Sequence, residues 1–183
     1  MSQVINGVNV IGLMQTIDAV KADAAVAKFR FRLQNKWLEG GHNRSTLNEI
    51  YGAGQLHHRA KSFEIHADEP IVLLGSDTAP NPSEYLLTAL AACVTSSLVY
   101  HAAARGIKIE EVESQVEGDV DVRGFLGLDP SVRNGFDNIR MTLASTPMSP
   151  TNNSRSSPAS AQDSRPSLTM SQTECRSQFG RNG

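Results

Sequence analysis

The chain has 183 residues, 39% hydrophobic and 20% charged, which fits one domain, or one small domain plus a tail, with enough length to bury a core without disulfides or metals. Its net charge of −2 argues against a nucleic-acid surface or a polybasic membrane contact. No run approaches ~18 consecutive apolar residues, so no membrane span is expected.

The first residues, MSQVINGVNVIGLMQTIDAVKADAAV, lack a basic start, a following apolar run and a small-residue cleavage site, so no secretory signal is expected. Within them, residues ~11–26 carry apolar side chains at near-helical spacing and predict a short amphipathic helix. Residues ~27–38 alternate Phe29, Phe31 and Leu33 with Arg30, Arg32 and Gln34, the pattern of a half-buried antiparallel strand. After the turn Glu39-Gly40-Gly41-His42-Asn43 come two more predicted strands, ~44–52 and ~56–66, joined tightly at Ala53-Gly54. Ile71-Val72-Leu73-Leu74 reads as a short buried run, and Gly75 to Pro80 as a loop.

The strongest element is the helix predicted over ~81–106. Asn81 is a good N-cap, Pro82 stands at the first helical position, Glu84 can close a capping box, and Gly106 is a natural stop. Its middle is apolar nearly all round, which predicts a core helix surrounded by protein. A long alternating strand follows from Ile107 to Val122. Then comes a loop exposing Phe125, Leu126 and Leu128, which would fold on its own core, form a dimer contact or act as a lid over an apolar substrate. Phe136 to Leu143 reads as the last strand. Strands, one long helix, then strands give an α+β domain with an antiparallel sheet packed on a helix.

Composition changes near residue 144. Residues 144–183 hold ten Ser, four Thr and four Pro, with no Val or Ile. Such a segment cannot offset its ordering entropy and is expected to be disordered. The domain reading is therefore 1–143 for the folded body and 144–183 for a Ser/Pro-rich tail, either a natural interaction tail or a frameshifted replacement of a true C-terminal third.

Two cysteines 82 positions apart make neither a disulfide framework nor a zinc set, so a cytoplasmic protein with reduced thiols, no cofactor and no metal is expected. Cys93 lies in the middle of the apolar helix. It is either a small buried hydrophobe or a nucleophile, and the second role needs a thiolate. Mid-helix placement gives no help from the helix N-terminus, so activation would come from another element: Arg44 first, then His42, His57 or His58. Glu84, nine residues earlier, falls on the opposite face and about 13 Å along the axis, which leaves it a capping role. The neighbours His57 and His58 point to opposite faces of a strand and cannot share one ion without a bend.

The run NPSEYLLTALAACVTSSLVYHAAARGIKIEEVESQVEGDVDVRGFLGL resembles the hallmark region of the OsmC/Ohr family, the osmotically inducible and organic-hydroperoxide-resistance proteins. Asp68-Glu69-Pro70, Leu74-Gly75 and Ala79-Pro80-Asn81-Pro82 fit the same pattern, and the resemblance covers roughly residues 27–143. It implies an intertwined homodimer, each protomer carrying a long central helix against a strongly curved antiparallel sheet. It also implies a thiol-dependent peroxidase site at the dimer interface, with Cys93 as the peroxidatic cysteine, an organic hydroperoxide as substrate and an external thiol or dithiol as reductant. The sequence departs from the family's peroxidase set in three places. Ser83 stands where a carboxylate would orient the activating arginine. Arg44, the nearest match to that arginine, is offset by one residue. The helix that would carry the resolving cysteine is replaced by the tail, and Cys175 has no helical context. The alternative is a non-catalytic OsmC-like dimer that binds a small apolar or thiol-reactive ligand, with Cys93 inert.

Overall fold

The computed structural model describes residues 3–147. They form a mixed α/β chain with antiparallel sheets and few helices. A two-residue hairpin opens it, β1 (Val4–Ile5) and β2 (Val8–Asn9). Asn6 and Gly7 turn it with φ of 52° and 76°, the positive values that make Asn-Gly the favoured pair in a tight hairpin turn. Helix α1 (Val10–Ala22) follows, capped by the Asn9 side chain accepting from the Gly12 N–H. A 3-10 turn (Ala24–Ala27) leads to β3 (Arg30–Phe31), β4 (Gln34–Glu39), β5 (His42–Gly52) and β6 (Gln55–Ala67). Next come a 3-10 turn over Ile71–Leu73, helix α2 (Pro82–Ala104), β7 (Ile109–Val120), the short helix α3 (Val122–Phe125) and β8 (Phe136–Pro147).

The long helix agrees with the sequence reading, but the helix expected over ~11–26 ends at Ala22, the strand expected over ~27–38 is broken into β3 and β4, and the sheet is divided. β3 and β4 both pair with one edge of β5, β6 pairs with the other, and β7 and β8 form a separate hairpin. No ladder joins the two sheets within the described residues. In place of one strongly curved sheet wrapped on the helix, α2 packs on β7 and, more lightly, on α1. The N-terminal hairpin is clasped to this unit by Asn6, which donates to the Ile107 carbonyl at 2.9 Å and accepts from the Ile109 N–H at 3.0 Å.

Three further expectations are corrected. Helix α2 is not surrounded by protein: Ala102 and Ala103 are its only buried residues, because β7 and α1 cover too little of a helix that is apolar on every side. The run Ile71–Leu74 is not buried either; Val72 is 84% and Leu74 94% exposed. Its residues form a turn held by Leu73 N–H to Pro70 O and Leu74 N–H to Ile71 O, which points the side chains outward. Phe125, Leu126 and Leu128 are exposed as well, so their loop does not fold on its own core.

Strand β8 continues four residues past the composition break at 143, with Ala144 opposite Glu113 and Thr146 opposite Glu111. A ladder needs only a backbone partner, and β7 supplies one, so a change to Ser, Thr and Pro side chains does not stop it. The rest of the expected tail, from residue 148, lies outside the described residues.

Candidate functional site

The approach to α2 is held by a cluster of side-chain hydrogen bonds. Asp68 follows the end of β6 and is only 1% exposed. Its carboxylate accepts from the Glu69 N–H at 2.8 Å, the Thr78 N–H at 3.1 Å and the Thr78 hydroxyl at 2.8 Å. The Thr78 hydroxyl and then its N–H hold the Asp68 carboxyl below its ordinary value, because every donor favours the charged form. The loop folded around it has no room for a side chain at Gly75, where a Cβ would stand 1.8 Å from the Glu69 carbonyl oxygen.

Glu69 then reaches the helix. Its carboxylate accepts from the side-chain amide of Asn81. The oxygen of that same amide accepts from the Ser83 N–H at 2.7 Å, and the Asn81 N–H donates to Glu84 at 2.8 Å, closing the expected capping box. Tyr85 on the first turn donates its hydroxyl to the His66 carbonyl at 2.7 Å, tying α2 to β6.

Cys93 is exposed in the single chain, so no described residue of its own chain buries it. Leu86 and Tyr100 stand seven residues before and after it, at heptad spacing, and both are exposed. Seven residues bring a helix back to within ~20° of the same face. Cys93 therefore sits at the middle of an uncovered stripe about 21 Å long, from Leu86 to Tyr100.

The sequence-predicted activators lie on the sheet. Arg44 is on β5, opposite His66 on β6 and Lys36 on β4, and its guanidinium pairs with Glu64 at 3.7 Å. Among the described residues no hydrogen bond or ion pair joins Arg44 to Cys93. His42 Nε2 is 2.9 Å from His66 Nδ1. His57 bonds the Gly52 carbonyl and His58 faces Glu49, so the two neighbours do part to different partners. Among the described residues no group of three or more His, Cys, Asp or Glu side chains could hold a metal ion. Ser83 offers no carboxylate at the helix N-terminus, where Glu69 arrives from the preceding loop instead.

Residues 75–155 match the family model of the OsmC-like proteins. The match covers 81 of the chain's 183 residues and supports membership of the OsmC-like family. No curated protein matched the chain. The OsmC-like segment contains α2 with Cys93, and the β7–β8 hairpin on which α2 packs. Asp68, Glu69 and Thr78 were missed as site residues by sequence reasoning. Asp68-Glu69-Pro70 was visible as a motif, but nothing in one sequence says that a carboxylate just after a strand will be buried under a loop ten residues further on.

Proposed function

We propose that this OsmC-like chain is a thiol peroxidase that reduces organic hydroperoxides as a homodimer in the cytoplasm. The observation that carries this reading is the Leu86–Cys93–Tyr100 stripe: a thiol that its own described residues leave uncovered, on an apolar helix inside the family-matched segment, which a second copy would place at an interface. In the reaction the Cys93 thiolate attacks one peroxide oxygen, the O–O bond breaks, and the alkoxide leaves as an alcohol after taking a proton. The sulfur becomes a sulfenic acid. A first external thiol displaces water to give a mixed disulfide, and a second attacks the reductant's sulfur in it, releasing the Cys93 thiolate and the reductant's own disulfide. Arg44 is the cation proposed to favour the thiolate. Its pair with Glu64 is exposed, and such pairs are worth only ~0–1 kcal/mol, so Arg44 can leave it at little cost.

The homodimer supplies the cover that one chain lacks. On length and composition alone α2 is long and apolar enough to cross a membrane. A second copy fits better than lipid, because β7 packs back along α2 and Tyr85 ties the helix start to β6. A spanning helix would send β6 and β7 to opposite sides of a bilayer.

Arg44 engaged with Glu64, and Ser83 in place of a carboxylate, favour the second reading, a non-catalytic dimer with Cys93 inert. Steady-state consumption of cumene hydroperoxide with a dithiol donor separates the two. Turnover that disappears in Cys93→Ser supports the peroxidase; no turnover by the natural chain with any dithiol overturns it.

A further inference from the structure

We propose that Asn134 is a site of spontaneous modification in the folded chain, its amide converting to aspartate and isoaspartate, while Asn6, in the same Asn-Gly sequence, is protected. An Asn-Gly step is prone to this chemistry because glycine has no Cβ to shield its backbone nitrogen or to restrict its approach. In the reaction the Gly135 amide nitrogen attacks the Asn134 side-chain carbonyl carbon and gives up its proton to a solvent base. The Asn134 side-chain nitrogen leaves as ammonia, and a five-membered imide closes. Water then adds to either carbonyl of the imide. It opens to aspartate, or to isoaspartate, in which the main chain runs through the former side-chain methylene.

The two described Asn-Gly pairs differ in what holds the asparagine; Asn182-Gly183 lies outside the described residues. Both polar atoms of the Asn6 side chain are engaged, the nitrogen donating to the Ile107 carbonyl at 2.9 Å and the oxygen accepting from the Ile109 N–H at 3.0 Å. Its carbonyl carbon cannot turn to the Gly7 nitrogen without breaking both bonds. Asn134 is exposed and lies between α3 and β8, in neither a helix nor a strand. The nearest side-chain hydrogen bonds in sequence are those of Ser131 and Arg140. Among the described residues none holds the Asn134 side chain, and no loop bond engages the Gly135 N–H.

The backbone on either side of Asn134 is held. Gly124 of α3 packs so closely on the preceding residue that a Cβ there would stand 2.3 Å from the Arg133 carbonyl oxygen. On the other side Phe136 opens β8 opposite Val120, with its ring against Gly118. Asn134 and Gly135 bridge these two fixed points, and Gly135 has a φ of 117°, in the region that favours glycine. Isoaspartate lengthens the bridge by one backbone atom, so the Val120–Phe136 pair at the start of the β7–β8 ladder is where conversion is felt. Either product adds one negative charge to a chain of net −2.

The test incubates the full natural chain in mildly alkaline buffer, with and without urea, then digests it with an acid protease and maps it by mass spectrometry, so that no variant's folding enters. In urea the two pairs are expected to convert at similar rates. Without urea Asn134 is expected to convert at close to its rate in urea. Asn6 should then convert roughly 10-fold or more slowly than Asn134, since its two hydrogen bonds must open first. Chromatography against synthetic peptides should resolve both acid products at position 134. No conversion at Asn134 without urea, or conversion of Asn6 as fast as that of Asn134, overturns the proposal.

Discussion

The side chain of Asn81 serves two partners at once: its oxygen caps the first turn of α2 through Ser83, and its nitrogen donates to the carboxylate of Glu69. An aspartate would normally be as good an N-cap as asparagine, but here it would set two carboxylates against each other. Asn81→Ala is expected to lose about 1 kcal/mol of stability in urea denaturation. Asn81→Asp is expected to fail to restore it unless Glu69→Gln is added.

Stability should fall at acid pH, and the sign follows from four depressed carboxyls. Asp68 is held low by Thr78, Asp119 by Arg140, Asp121 by Arg123 and Asp129 by Ser131. A group with a lowered folded value contributes stability above its unfolded value, about 3.9 for Asp, and loses it as pH falls through the folded one. The urea midpoint is therefore expected to drop below about pH 4. Asp68→Asn should be less stable than the natural chain at neutral pH and should lose less on acidification. Equal acid dependence in the two would remove Asp68 from the account.

Cys93→Ser is expected to abolish hydroperoxide consumption and Cys175→Ser to leave it nearly intact, with Arg44→Ala slower than the natural chain. Stopped-flow consumption of tert-butyl hydroperoxide measures all three. Equal loss in the two cysteine variants would mean a two-cysteine cycle.

Sedimentation should give a species of twice the 19.8 kDa chain mass at micromolar concentration. Leu86→Glu and Tyr100→Glu place a charge on the uncovered stripe beside Cys93 and are expected to shift it toward monomer. A folded monomer in the natural chain would contradict the dimer.

Much of the architecture was legible in the sequence. The α2 capping box needs only Asn81, Pro82 and Glu84 at fixed offsets, so a local pattern places that element, whereas the alternation around Phe29 and Phe31 predicts one half-buried strand where the chain forms a two-residue β3 and a separate β4 with both rings exposed. What one sequence does not carry is which apolar face finds a partner. Ile71–Leu74 and α2 both read as buried because apolar runs usually are, yet among the described residues Ile71–Leu74 is left uncovered and β7 and α1 cover only part of α2. Asn6-Gly7 was a readable hairpin signal that the helical spacing beyond it overshadowed. Cys93 was legible as a candidate, because it is the one cysteine of its helix. It was not legible at Asp68 and Glu69, whose roles depend on a loop closing over them.

The Asn6 clasp also bears on how the chain leaves the ribosome. Most strands pair with their neighbours in sequence, so those hairpins can close as they emerge, but Asn6 must wait for Ile109, 103 residues later. At synthesis rates of about 5–20 residues per second, that is an interval of roughly 5–20 seconds. Throughout it, the Asn6 side chain lacks the Ile107 and Ile109 backbone groups that it bonds in the folded chain.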